Sequence, residues 1–176
     1  MNVAYPFGLT DLKIYPLSGP SDTPGTAVAV PAGRVMTVDP TEDTAELTGY
    51  NGVVASDVTG TSADVTLEFG GVDLDVFAAL GGGTVTSTGT TPNVVKTYKA
   101  GKSGVARPYV RIVGKALDGA GDVHIDVKKV KFSIPGGNFN EGEFYVASID
   151  GRAVRDANGE LINFITHETA AAISSS

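Results

Sequence analysis

The sequence predicts a mainly β protein with one short flanking helix. Glycine is abundant, at 23 of 176 residues. Valine and threonine are frequent and prolines fall mostly between apolar runs, the composition of short strands joined by turns. Ala63 to Phe69 alternates without a break. Ala63, Val65, Leu67 and Phe69 face one way and Asp64, Thr66 and Glu68 the other, the pattern of a strand with one buried and one wet face. Asn51-Gly52 lies between two strand-like runs, and Asn-Gly favours a two-residue hairpin turn because both turn positions need positive φ.

The elements follow in order. Leu12 and Ile14 alternate with Lys13 and Tyr15 in a first strand from Asp11 to Tyr15, and the turn formers from Ser18 to Thr26 end it. Thr26 to Val30 and Arg34 to Val38 read as short strands around Pro31-Ala32-Gly33, with Asp39-Pro40 expected to break the second. Thr44 to Tyr50 and Val53 to Val58 flank the Asn-Gly turn. Few large apolar residues lie along them, so this hairpin is expected to project from the core. After Gly70-Gly71, the stripe Val72, Val76 and Leu80, widened by Leu74 and Phe77, predicts a helix over 72–80. Asp73 and Asp75 fall in its first turn, where carboxylates suit the positive end of the helix dipole. Gly81 to Gly83 supply its stop.

Strands then recur at 84–87, 94–99, 109–116 and 122–134. In the last of these, Val123, Ile125 and Val127 share a side. Beyond Lys128-Lys129, the residues Val130, Phe132 and Ile134 continue one register later, the mark of a bulge or bend. Phe144 to Ile149 and Leu161 to Thr166 close the domain through a turn at Arg155 to Gly159. The expectation is a single domain over 1–176, with 44–58 projecting and a flexible tail over 170–176.

The formal charge is −7, unevenly spread. Residues 1–95 hold only Lys13 and Arg34 against eleven acids, while residues 96–131 hold nine of the thirteen basic residues against Asp118, Asp122 and Asp126. Such blocks are either solvated faces or complementary patches that meet when copies pack. Overall acidity argues against gripping nucleic acid, where affinity comes from Lys and Arg on phosphates. Tyr98 and Tyr109 within the basic block are the residues that would stack on bases. Cysteine is absent, which excludes disulfides, thiol nucleophiles and zinc–thiolate sites. No stretch is long and apolar enough to span a membrane. The N-terminal MNVAYPFGLTDLKIYPL lacks the basic start and apolar core of a secretory signal, so synthesis in a cytoplasm is expected.

Signatures of catalysis are sparse. Asp122, His124 and Asp126 share one face of a strand and could hold a divalent metal. A polar outer strand face accounts for the same residues, and that is the expectation. His167 has no local partner and is expected at the surface. Asp73 and Asp75, two apart on a helix, do not face one another. Gly81 to Gly83 lack the lysine and spacing of a phosphate loop, and no serine sits in a nucleophile elbow. No catalytic residue, cofactor or metal is expected.

The stretch ADVTLEFGGVDLDVFAALGGGTV (63–85) resembles the major tail tube proteins of long-tailed phages: a strand ending in Phe-Gly-Gly, an acidic amphipathic helix, a glycine run and another strand. FGLTDLKIYPLSG (7–19), VDPTEDTAELTGYNGVVAS (38–56) and HIDVKKVKFSIPGGNFNEGEF (124–144) are similar to the same family, so the resemblance covers most of the chain. It implies a β-sandwich or half-barrel with one flanking helix, completing a large inner β-barrel when protomers join as hexameric rings. Stacked rings would form a tube through which DNA leaves the virion. The implied partners are further copies of the chain and the tail-tip, tape-measure and tail-terminator proteins. DNA would pass without specific binding, no membrane is involved, and the implied location is the virion tail after synthesis in the bacterial host. With about four strands from each of six protomers, ~4.8 Å spacing and ~40° tilt give a barrel of backbone diameter roughly 45–50 Å, whose bore still admits a duplex inside the inward side chains.

DNA must slide through such a bore, so its lining should lack cationic clusters. Glu46, Asp64 and Glu68, on the polar faces of predicted strands, are the candidate lining, with plain outer surface as the alternative. Tyr50, Asn51, Gly52 and Val53 are the candidate contact between subunits. The competing readings are a secretion-system tube ring and an immunoglobulin-like adhesin or capsid decoration module. The absence of tryptophan and an aromatic content of 7% disfavour sugar binding.

Overall fold

The computed structural model describes residues 4–104, 106–119 and 121–174. Among them the chain runs through β1 (Phe7–Ser18), β2 (Thr23–Pro24), β3 (Val28–Ala29), β4 (Gly33–Gly49), β5 (Gly52–Gly70) and helix α1 (Leu74–Gly81). There follow β6 (Thr84–Thr88), β7 (Val95–Lys99), β8 (Val110–Asp118), β9 (Gly121–Phe132), β10 (Gly136–Asn138), β11 (Val146–Ala153) and β12 (Ile162–His167). Ten strands form one antiparallel sheet in the order β2-β1-β8-β9-β11-β5-β4, with β3 also on β1, β10 on β11 and β12 on β9. β6 and β7 pair separately as a hairpin. The fold is mainly β with one helix, as the sequence predicts.

β9 is the branch point of the sheet. One edge pairs with β8, while the other is shared: β12 takes Asp122 to Val127, and β11 takes Val130 to Phe132. The division falls at Lys128-Lys129. There Val110 pairs with Val130 but Ile112 with Val127, so β9 carries one residue more than β8. This is the bulge that the phase shift in the sequence predicts. It keeps Val127 and Val130 both in the core although they are an odd number of residues apart.

One apolar cluster takes side chains from both ends of the strand order, Leu12 and Ile14 from β1 and Met36 and Val38 from β4, so the sheet bends around it. Gly114 of β8 permits that bend, because a Cβ there would come 2.6 Å from the Met36 sulfur. α1 covers the cluster with Val76, Phe77 and Leu80. Phe77 packs edge-on between Phe69 and Tyr98, with ring centroids 5.9 Å from each.

Several local expectations change. α1 begins at Leu74 rather than Val72, because the Asp73 side chain caps it, accepting from the amides of Asp75 (2.9 Å) and Val76 (3.3 Å). Val72 is left outside, 51% exposed. Asp39-Pro40 does not break the strand: β4 runs straight through, with Pro40 opposite Ala63. β4 ends the sheet, and an edge strand tolerates a residue without an N–H. The hairpin turn is centred one residue earlier than expected. Gly49 pairs with Gly52, leaving Tyr50-Asn51 at the turn, and the positive φ (137°) falls on Gly52.

Candidate assembly surface

The β4–β5 hairpin is far longer than its core-bound part. Every residue from Asp39 to Thr59 is exposed, so the pair leaves the core as an arm about 30 Å long at ~3.3 Å per residue. Alternation explains the division. Below Thr61 the odd positions of β5 are Ala63, Val65, Leu67 and Phe69, all buried, whereas the outer stretch has threonine, alanine and acids in both phases. Two register shifts, between Asp43 and Thr44 and between Leu47 and Thr48, add twist along the arm. Leu47, Tyr50, Val53, Val54 and Val58 stand exposed near the tip. Asp39, Glu42, Asp43, Glu46 and Asp57 make the arm acidic, and it carries no lysine or arginine. Tyr50, Asn51, Gly52 and Val53, the expected contact residues, therefore lie together at its free end. Among the described residues, nothing pairs with the outer edge of β4.

The three carboxylates expected to line a bore do not share a face. Asp64 and Glu68 lie on the outer side of β5. β4 gains no residue between Met36 and Glu46, so alternation puts Glu46 on the side of Met36 and Val38. The wall that Asp64 occupies is also mixed in charge. Asp39 and Arg152 flank Asp64 in register, and Arg152 donates to the Ser62 hydroxyl at 2.9 Å.

Most of the cationic block from 96 to 131 is spent inside the protomer. Arg111, 8% exposed, grips Asp126 through two bonds of 2.8 and 3.0 Å, and Lys128 reaches the same carboxylate at 2.8 Å. Lys129 pairs with Asp22 and Lys115 with Asp122. Lys129 and Lys131 both sit over the Tyr109 ring, 4.9 Å from its centroid, and Tyr98 is tucked under α1 with its hydroxyl on the Gly82 carbonyl. Two cations thus already stack on Tyr109, and Tyr98 is part of the core packing. Lys99 and Lys102 remain as exposed cations on β7 and the loop beyond it, while Lys96, on the opposite face of β7 from Lys99, lies 4.0 Å from Asp75 of α1.

Sequence alternation puts Asp122, His124 and Asp126 on a wet face, and the structure buries all three. The cover is the C-terminal segment, which is expected to be flexible but lies across β1, β8 and β9 through Ser174. Ile173 packs with Tyr15 and Val113. The Ala171 amide donates to Asp122, Lys115 donates to the Ala171 carbonyl, and the Tyr15 hydroxyl to that of Ser174. Burial pushes the Asp122 carboxyl up, but the bonds from Lys115 and Ala171, with the charges of His124 and Lys115, outweigh it and hold the group below the usual range. His167 is not isolated either, since its ring centroid lies 4.7 Å from that of His124. Only the pairing of β12 with β9 brings these two histidines together, which no local motif announces. Neither the protein-family models nor the curated proteins compared with this chain give a match to it.

Proposed function

We propose that the chain is a structural subunit of a phage tail tube, assembling as hexameric rings that stack into a conduit for DNA. The observation that carries this reading is the arm from Asp39 to Thr59. A lone two-stranded hairpin is marginal in water, and an unpaired edge strand invites pairing with another chain. An exposed apolar tip on an otherwise polar arm has the character of a docking element. Against a neighbouring copy, the arm would bury Tyr50 and its neighbours, and its acids would meet the exposed Lys99 and Lys102. Such charge pairing favours register and rate of encounter over raw affinity.

The remaining sheet would complete a barrel between copies, with Asp64, Glu68 and Arg152 on a weakly charged wall that lets a duplex slide. Replacing residues 44–59 by a two-residue Asn-Gly turn between the paired Asp43 and Gly60 tests the reading. The shortened chain should keep its core and remain monomeric, while the full chain forms rings or tubes in negative stain. Tubes built equally well by the shortened chain would refute it.

A second reading has one observation in its favour. Phe139 stacks on Tyr145 at 4.6 Å, with Phe144 97% exposed, an aromatic patch of the kind a carbohydrate- or capsid-binding module presents. A monomer that retains a glycan or capsid surface would favour that reading.

A further inference from the structure

The chain has two histidines and no cysteine, and the fold brings both imidazoles to one carboxylate. Asp122 and His124 are two apart on β9 and so share a face. His167 of β12 lies directly opposite Asp122 in register. One donor atom from each of the three falls within 4.8 Å of the other two.

Two of these atoms lack partners. Asp122 and His124 are 1% and 3% exposed, yet Asp122 Oδ1 and His124 Nε2 make no hydrogen bond among the described residues. Buried polar atoms are almost always satisfied, and each exception needs a physical reason. The other carboxylate oxygen is fully engaged, Oδ2 accepting from Lys115 Nζ at 2.9 Å and the Ala171 amide at 2.7 Å. The carboxylate is therefore fixed with one lone pair facing the imidazole.

We propose that Asp122, His124 and His167 form a binding site for a borderline divalent transition metal, with Zn²⁺ as the representative ion. Ligands at about 2.0–2.1 Å in a tetrahedron lie roughly 3.3–3.4 Å apart. Asp122 Oδ1 and His124 Nε2 are 3.4 Å apart, already one edge of such a site. His167, half-buried at the end of β12, supplies the third ligand by a small turn of its side chain, and solvent on that side supplies the fourth. Two imidazoles and one carboxylate suit zinc, cobalt or nickel, whereas magnesium and calcium favour all-oxygen sites. Lys115 and Ala171 act as the outer partners that hold a ligating carboxylate in place. The bound ion would tie β12 to β9 and, through Asp122, fix the C-terminal segment over the sheet. The competing account is a proton in place of the metal, a long Nε2–H···Oδ1 hydrogen bond.

The test is calorimetric titration of tag-free, chelator-treated protein with Zn²⁺, and with Mg²⁺ as control, alongside melting curves. One Zn²⁺ per chain, a melting temperature that rises with Zn²⁺, and affinity about tenfold or more weaker in both His167→Ala and His124→Gln are expected. The ring-proton NMR signals of both histidines should move together on adding Zn²⁺ to the unaltered chain, a readout independent of whether the variants fold. No saturable Zn²⁺ binding, binding unchanged in the variants, or histidine signals that stay put would overturn the site and leave the proton-bridged pair.

Discussion

Tyr50 separates a folding role from an assembly role. Its side chain is fully exposed at the turn of the arm, so Tyr50→Ala should change protomer stability by no more than ~0.5 kcal/mol, the usual range for surface substitutions. The proposed ring would bury the same side chain. A tyrosine withdraws roughly 150–250 Å² from water, which at ~25 cal/mol/Å² sets a ceiling of about 4–6 kcal/mol per contact. Ordering and desolvation take part of this, leaving ~2 kcal/mol, the usual threshold for an anchoring residue. With each 1.4 kcal/mol worth about tenfold, the concentration needed for assembly should rise roughly 30-fold. Pelleting across a concentration series measures that threshold, and a melting curve of the dilute protein measures the fold. An unchanged threshold would refute the reasoning, as would a lowered melting temperature, since Tyr50 would then belong to the protomer's own fold.

Asp126→Asn leaves Arg111 and Lys128 without their shared buried carboxylate and should cost ~3–5 kcal/mol in urea unfolding; a loss under ~1 kcal/mol would show that solvent screens the group. Asp73→Ala removes the cap of α1 and should cost about 1 kcal/mol in the same assay without changing assembly. Reversing the exposed charges as Lys99→Glu and Lys102→Glu should slow assembly and invert its response to salt, so that added salt now speeds it, read by light scattering; unaltered kinetics would remove the pairing of the arm with these lysines. Burial raises the Tyr98 phenol above its ordinary value, so its contribution is fully present below the unfolded value near ~10 and is lost as pH rises through the folded value. The fall in stability from neutral to alkaline pH should therefore be smaller in Tyr98→Phe than in the unaltered chain, although loss of the bond to the Gly82 carbonyl lowers the variant's stability at neutral pH.

Local pattern carried much of the fold. Val65, Leu67 and Phe69 are buried as their alternation predicts, and the phase shift at Lys128-Lys129 locates the bulge at which β9 passes from β12 to β11. What stayed hidden depends on distant parts of the chain. Pro40 reads as a strand breaker until β4 proves to be an edge. Asp122, His124 and Asp126 read as a wet face because Ile173 and Ala171, which cover them, lie some fifty residues away. Glu46 shares a charge with Asp64 and Glu68, but strand alternation separates them once β4 and β5 are in register. The arm's existence was legible in its shortage of large apolar residues; its full extent required the pairing of β4 with β5 from Asp39 out to Gly49.

Cryo-electron microscopy of the concentrated protein tests self-assembly most directly. The account predicts six-fold rings or hollow tubes in which residues 39–59 of each copy lie against a neighbour and the outer edge of β4 is covered. Single 18.0 kDa particles at every concentration, or an assembly that leaves every arm in solvent, would contradict it.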